Sequence, residues 1–325
     1  MRIGLVYDLF EDYPWIEGEA FDADAENEPE ETVEALEAAF RALGHQPIRI
    51  GPARNLLPHI HAPGFDVGMS IAEGARSRNR EGEAPALFEL MGVPFLGSDA
   101  LTMSVSLDKA WTKDLVAAAG VATPPYCLIT PAGRVGELPS LPAFLKPRYE
   151  GSAKGLTAAN KVYGAETLEH QANRLLSDYG QDVLVESFVE GSEFTVAVIG
   201  HDPVRTLPVI QRAIETESGI GLHVLERSGL PEKQYAWSLP GDLTPELETR
   251  LQQDAIAVFN KLECNDFARL DFRVDRDGTP WFLEINPLPT FAPDGTFAIM
   301  AELMGQSYPD FLASVLDESL RRISP

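Results

Sequence analysis

The chain has 325 residues, 44% of them hydrophobic, which is enough for two or three domains with sizeable cores. Its 50 acidic residues against 26 basic ones leave a formal net charge of −24, which speaks against nucleic acid or an anionic membrane as partner. Cys127 and Cys264 stand far apart and fit neither a disulfide framework nor a metal cluster; with no signal-like or membrane-length apolar run, a cytoplasmic protein is expected.

In chain order, residues 3–7 predict a buried strand. An acidic segment over residues 11–31 follows, and Pro29 suits the first turn of a helix. Val33, Leu36, Phe40 and Leu43 recur at helical spacing until Gly44 supplies the stop. Residues 47–51 and 67–72 predict further strands, 86–91 a helix, and 93–96 a brief strand ending at Gly97. That alternation predicts a parallel α/β layer. Residues 106–120 predict one helix, with Leu107, Trp111, Leu115 and Ala118 on one stripe and Lys109 and Lys113 on another.

Strands are predicted at 126–130 and 143–146, the second leading into a loop with Gly151, Ser152 and Gly155. Small residues let backbone N–H groups wrap phosphate oxygens while Lys146 neutralises their charge. The spacing is not that of a Walker A loop, and a glycine-rich connector is the alternative. Strands at 183–186 and 194–199 bracket Ser187, Phe188 and Val189. Glu186 and Glu193 there suit a purine and its ribose, or are surface acids at strand ends. Thr244-Pro245 starts a long helix with Leu247, Leu251, Ala255, Val258 and Leu262 on its buried stripe, and two helices near 298–304 and 308–321 close the chain.

Between them, Asp277-Gly278 predicts a hairpin with a two-residue turn. That turn sets Asp271 opposite Glu284 and Arg269 opposite Asn286, all on one face. Leu270, Phe272, Val274, Trp281, Leu283 and Ile285 fall on the other. Two carboxylates and an amide oxygen form a set suited to Mg²⁺, and an arginine beside them suits a phosphoryl group. An edge hairpin with a solvated polar face is the alternative. Pro287 and Pro289 tilt the balance, because they end the strand beside these side chains.

Together the motifs resemble the ATP-grasp superfamily, and within it the D-alanine–D-alanine ligase family, almost end to end and in order. The matching stretches are Phe88 through Ser98; Leu107-Asp108-Lys109 with Thr112-Lys113; Lys146-Pro147 with Glu150 through Gly155; Glu186 with Gly191 through Val196; and Arg269 through Phe272 with Leu283 through Asn286. The resemblance implies an α/β chain, α+β overall, in a three-domain ATP-grasp architecture with an N-terminal Rossmann-like parallel sheet. It implies an N-terminal domain over 1–105, a central lid over 106–187 and a C-terminal part over 188–325 carrying the metal site. It implies ATP with two Mg²⁺ ions, Mn²⁺ being an admissible substitute. Arg269 and Ser152 would be catalytic, and Asp271, Glu284 and Asn286 would hold metal. Lys109, Lys146, Glu150, Gly151 and Ser152 would meet the phosphates. Glu186, Ser187, Phe188, Val189 and Glu193 would surround the nucleoside, with Phe282 against the adenine.

Departures from the family concern its amino-acid substrates. The N-terminal Gly-Gly…Ser-x-Glu signature is absent, Glu73-Gly74 stands for His-Gly, Ser228-Gly229 for Lys-Tyr, and Gly295-Thr296 for Ser-Leu. Candidate substrate residues are therefore Glu11, Glu73, Thr290, Gly295 and Thr296, with Asp294 as a further ammonium partner and Arg76, Arg78 or Arg80 as carboxylate receivers. The expected function is an ATP-dependent ligase that activates a carboxylate as an acyl phosphate and joins it to an amine, on an amino-acid-type pair. An authentic D-alanine–D-alanine ligase of peptidoglycan synthesis is the second reading, and a non-catalytic nucleotide-binding protein the third. The partners expected are the small carboxylate and amine substrates, with a homodimer admissible.

Overall fold

The structure, a computed structural model, describes residues 1–227 and 235–323. Its first sheet is centred on β1 (Arg2–Val6), flanked in parallel by β2 (Gln46–Gly51) and β3 (Val67–Ser70), with β4 (Phe95–Leu96) beyond β3. Parallel neighbours require crossover connections, which α1 (Glu30–Ala42) and α2 (Glu83–Met91) supply. On α1 the expected stripe Val33, Leu36 and Phe40 is fully buried, and Pro29 stands just outside as the N-cap.

The expected single helix over 106–120 is corrected. Two helices, α3 (Ala100–Leu107) and α4 (Lys109–Ala118), meet at Asp108. The Asp108 carboxylate accepts the N–H groups of Ala110 (3.1 Å) and Trp111 (3.3 Å) and also pairs with Arg148 (2.8 Å). An aspartate so placed starts a new helix rather than continuing one. The α4 face turned inward carries Lys109, Ala110, Thr112, Lys113 and Val116, while Trp111 lies outside, its ring beneath Arg78 and Arg148.

The second sheet is antiparallel throughout: β5 (Tyr126–Thr130), β6 (Gly133–Val135), β7 (Ala143–Pro147), β8 (Lys161–Val162) and β9 (Val183–Ser187), in the order β6-β5-β9-β7-β8. The amphipathic α5 (Ala165–Tyr179) covers one side with Leu168, Ala172 and Leu175. The third sheet begins with β10 (Gly191–Gly200), which pairs with β11 (Arg205–Thr206) and β12 (Ile210–Arg212). A small ribbon of β13 (Ile214–Glu215) and β14 (Trp237–Ser238), the short α6 (Leu222–Arg227) and the long α7 (Pro245–Lys261) separate these from β15 (Asp266–Asp275) and β16 (Pro280–Asn286). On α7, Thr244 caps the Leu247 N–H and Leu251, Ala255 and Val258 pack beneath β10 and β15.

The chain closes with α8 (Thr296–Leu303) and α9 (Tyr308–Ile323). Phe311, Leu312, Val315 and Leu316 of α9 share one core with Ile3, Leu5 and Phe40, so the tail returns to the first sheet. Arg322 fastens it there by pairing with Asp266 (2.6 Å) and donating to the Phe95 carbonyl (2.9 Å). Among the described residues no helix is long and apolar enough to cross a membrane. The polar face of the third sheet and the inner face of the second are left to enclose the site.

Candidate active site

Strands β15 and β16 pair with Asp271 opposite Glu284 and Arg269 opposite Asn286, the register the sequence predicts. The turn, however, is wider than predicted. The Asp275 N–H donates to the Thr279 carbonyl (3.1 Å) and the Gly278 N–H to the Asp275 carbonyl (3.0 Å), so residues 276–278 form the loop, with Gly278 at φ +82°. The third loop residue shifts the pairing by one. A bulge beside Asp271, where Phe272 faces Phe282, shifts it back. The two departures cancel at the Asp271–Glu284 and Arg269–Asn286 pairs but not nearer the turn.

Phe282 is the side chain that pays for the bulge. It is fully buried in the core against Phe272, with ring centroids 5.9 Å apart, and its carbonyl accepts the Thr123 hydroxyl. The expectation that Phe282 packs on adenine is therefore corrected, and Leu283, expected in the core, lines the cavity instead.

That cavity, about 720 Å³, lies between the second and third sheets and reaches the first. Arg269, Asp271, Glu284 and Asn286 all line it. Burial opposes ionisation of Glu284, yet the pull of Lys109, Lys146 and Arg269 prevails and holds its carboxyl down at about 2. Lys109 lies 3.6 Å from Glu284, and Arg269 lies 3.3 Å from Asp271. Asp271 also accepts the Thr195 hydroxyl (2.6 Å). Ionised oxygens beside an amide oxygen are the donor chemistry that hard divalent cations take, so the set fits such an ion.

A buried triad backs this group. Glu186, expected at the nucleoside, pairs with both Lys113 (2.7 Å) and Lys146 (2.6 Å). Burial drives the Lys113 ammonium down to about 8 in spite of Glu186. Burial also opposes the charge on Lys146, but Glu186 and Glu284 outweigh it and raise that group. Lys113 is fully buried, which no amphipathic pattern announces.

The loop from Glu150 to Gly155 turns sharply, with Ser152 (φ +47°) and Ala153 (φ +60°) both in the left-handed region. Such conformations cost non-glycine residues about 1 kcal/mol or more each and cluster at functional sites. Gly155 (φ +75°) could carry no side chain, since a Cβ would come within 2.8 Å of the Tyr179 ring. Glu26 accepts the Gly151 N–H (2.6 Å) and pairs with Arg80 (2.6 Å) and Lys154 (3.1 Å), while Asp22 accepts the Gly155 N–H (2.8 Å).

Glu26 and Asp22 belong to the acidic segment over residues 11–31, of which sequence reading expects only Glu11 at the site. Glu11, chosen from that segment, is exposed in a short 3₁₀ turn and does not line the cavity; Glu26 and Glu28 do. Glu28 is held by the hydroxyls of Thr32 (2.8 Å) and Thr290 (3.0 Å). Glu73, Asp294, Gly295 and Thr296 line the same end. Arg76 is paired with Glu19, Arg78 lies over Trp111 and Tyr149, and Arg80 is buried behind Glu26, so none of the three lines this cavity. Ser228-Gly229 lies outside the described residues.

At the other end, Phe144, Ile220 and Leu225 form an apolar floor with Phe188 packed against it. Lys161 and Arg273 flank the Phe188 ring at 3.8 and 4.6 Å. The N–H groups of Ser187 and Phe188 are spent on the carbonyls of Pro125 (3.0 Å) and Pro142 (2.8 Å). Glu193 is paired with Arg273 (3.2 Å) and faces His223 (3.7 Å).

Glu26, Glu73 and Glu81 bring carboxylate oxygens within 4.8 Å of one another. Burial and its acidic neighbours raise Glu73 well above its usual range and push Glu81 up to about 7. A buried carboxyl with a raised pKa stabilises the fold while protonated and loses that contribution as pH climbs through its folded value. Stability is thus expected to decline between pH 5 and 8 by up to about 3 kcal/mol, and Glu81→Gln to flatten the decline in denaturant titrations. An undiminished slope in Glu81→Gln would place the proton elsewhere.

Sheet order, the carboxylate and amide set on the hairpin, the buried lysine pair and the tight Glu150–Gly155 turn together have the arrangement of an ATP-grasp enzyme. Comparison with known proteins agrees. The family description "D-ala D-ala ligase C-terminus" matches residues 115–317. A D-alanine–D-alanine ligase of Cupriavidus taiwanensis is 30% identical over 89% of this chain and 86% of its own length. An uncharacterized protein of Sinorhizobium fredii, y4sG, is 29% identical over 89% and 87%. Among solved structures, a D-alanine–D-alanine ligase from Bacillus anthracis complexed with ATP superposes with TM-score 0.73 at 20% identity, over 99% of this chain and 97% of that one. VanG D-Ala:D-Ser ligase from Enterococcus faecalis gives 0.74 at 19%, over 98% and 99%. The chain belongs to the D-alanine–D-alanine ligase family. It is an ATP-dependent, C–N bond-forming ligase acting on small molecules, in a family that uses ATP and divalent metal ions.

Proposed function

We propose that this ligase activates a carboxylate as an acyl phosphate and joins it to an amine on an amino-acid-type pair other than two D-alanines. The observation that carries the reading is one continuous cavity, with Lys109, Lys146 and Glu284 at its centre and Glu28, Thr290 and Thr296 at its far end. Two Mg²⁺ ions, or Mn²⁺, would be held by Asp271, Glu284 and Asn286 and would draw charge from the transferring phosphoryl group. Lys109 and Lys146 neutralise phosphate oxygens beside them, and Arg269 faces the charge developing at the acyl centre. Ser152 and Gly151 hold the phosphate turn, and Glu150 anchors it through Lys154 (2.6 Å). Glu193 takes the ribose hydroxyls, while the base rests on the Phe144–Phe188 floor and meets Val189 and neighbouring carbonyls. The three sheets support a division near residues 105 and 187, although the α9 return gives the outer two a common core. A cytoplasmic, homodimeric enzyme fits this reading, and light scattering tests the assembly.

ADP release, screened over amino acids and simple amines with Mg²⁺, tests the reaction. Turnover should appear for a mixed pair and remain low for D-alanine alone. Efficient D-alanyl-D-alanine formation at millimolar D-alanine would instead establish the second reading, a D-alanine–D-alanine ligase. The seat of Glu26 on the phosphate turn favours that reading, since it restores a first-loop glutamate to the site. Hydrogen exchange over residues 148–157 should slow on adding a Mg-ATP analogue, because an acyl phosphate needs water excluded. Equal protection with and without nucleotide would remove the closing turn from the mechanism.

A further inference from the structure

We propose that Arg212 selects the amine substrate by receiving its carboxylate. This assignment rests on the ligase reading above and adds a residue to it. Arg212 ends β12 and sits opposite Glu193 in the antiparallel register. Its Nε donates to the Thr195 hydroxyl (3.0 Å) and one terminal nitrogen to the Thr296 hydroxyl (2.7 Å). Both anchors are neutral, and they fix the plane of the guanidinium in the cavity wall.

The other cavity-lining lysines and arginines all have carboxylate partners. Lys109 has Glu284, Lys146 has Glu186, Lys154 has Glu26, Arg269 has Asp271 and Arg273 has Glu193. Among the described residues, Arg212 alone of this group has no carboxylate within ion-pair distance, in a chain with 50 acidic residues. Burial, and then Arg269, work against its charge, while Asp271 beyond the Thr195 bridge and Glu193 on the facing strand support it without reaching ion-pair distance. A largely desolvated cation without a counter-ion is unfavourable, and a planar fork is shaped for a carboxylate.

Position decides between phosphate and substrate. Arg212, Thr195, Asp271 and Glu284 belong to four successive strands, β12, β10, β15 and β16. Strands lie about 4.8 Å apart, so the Arg212 backbone stands roughly 10 Å across the sheet from that of Asp271, on the side away from Lys109 and Glu284, and its guanidinium reaches back only to the Thr195 hydroxyl that bridges it to Asp271. Its tether, Thr296, is the first residue of α8, whose N-terminal end favours negative charge. Gly295 there brings no hydroxyl, and the Thr296 hydroxyl is engaged with Arg212. The guanidinium is thus the charged group offered to a carboxylate at this end.

The test compares amino acids with their amides as amine substrates: glycine, L-alanine and D-alanine against glycinamide, L-alaninamide and D-alaninamide. Their binding to the enzyme–Mg–ATP-analogue complex is followed by calorimetry, and ADP release with Mg-ATP by a coupled assay. The parent should favour the acid over its amide about a hundredfold or more, the cost of one unpaired buried charge. Arg212→Gln should collapse that preference to within a few-fold through KM for the amine, leaving KM for ATP within about twofold, and Arg212→Lys should restore part of it. Equal losses for acid and amide, or a rise in KM for ATP, would make Arg212 a support for Asp271 and overturn the proposal. So would a parent that binds both alike. Carboxylate-dependent binding lost in Arg212→Gln, in a protein that never releases ADP with any amine, would uphold Arg212 while sinking the ligase reading.

Discussion

Glu284→Gln should fold as the parent does and lose about a hundredfold or more in substrate-dependent ADP release, a loss on the order of 3 kcal/mol at the transition state. Glu284 is ionised throughout the neutral range, because Lys109, Lys146 and Arg269 hold its carboxyl at about 2. The amide keeps the shape and one oxygen but removes the charge that a divalent cation and Lys109 both answer. Lys109, now 3.6 Å away, would lose its carboxylate partner at the same stroke. Its core neighbours on β15 and β16 are apolar and unchanged, so circular dichroism and melting should barely move. ADP release at saturating Mg²⁺ is the measurement, and parental activity in a folded variant would remove Glu284 from the metal set.

That residue could be placed from sequence because strand periodicity carries facing information, and Asp277-Gly278 locates the hairpin to within one residue. Periodicity cannot show where one face becomes the other. The bulge beside Asp271 exchanges the environments of Phe282 and Leu283, and neither residue's chemistry distinguishes adenine from core. Lys113 was legible as a motif residue but not as a fully buried one, since its charge on α4 is met by Glu186 from β9 of the second sheet. The acidic segment concealed Glu26 in its own composition: a long run of carboxylates gives no sign of which one meets Arg80 and Gly151. Arg212 lies in a three-residue strand with no motif around it, and only the tertiary placement of Thr195 and Thr296 gives it meaning.

Glu186→Ala should cost about 3–5 kcal/mol of stability, the price of breaking a buried ion pair from one side. Two ammonium groups, Lys113 at 0% and Lys146 at 8% side-chain exposure, converge on this one carboxylate. Truncation leaves the buried Lys113 ammonium with only the Thr123 hydroxyl (2.9 Å) as a hydrogen-bond partner. The lysine then lowers its cost by releasing its proton. Already held down at about 8 by burial, it should fall further once the glutamate is gone. A lysine whose folded pKa is depressed gains stability as pH rises from its folded towards its unfolded value; the variant begins that gain at lower pH than the parent, whose Lys113 begins it at about 8, so the deficit of Glu186→Ala should narrow as pH rises through neutrality towards 8 and hold steady above it. Lys113→Met in the Glu186→Ala background should recover part of the loss, because it removes the buried charge and keeps the volume. Denaturant titrations of the parent, both singles and the double variant across that range would decide it. A pH-independent deficit, or no recovery with Lys113→Met, would mean that the triad is held by packing rather than by charge.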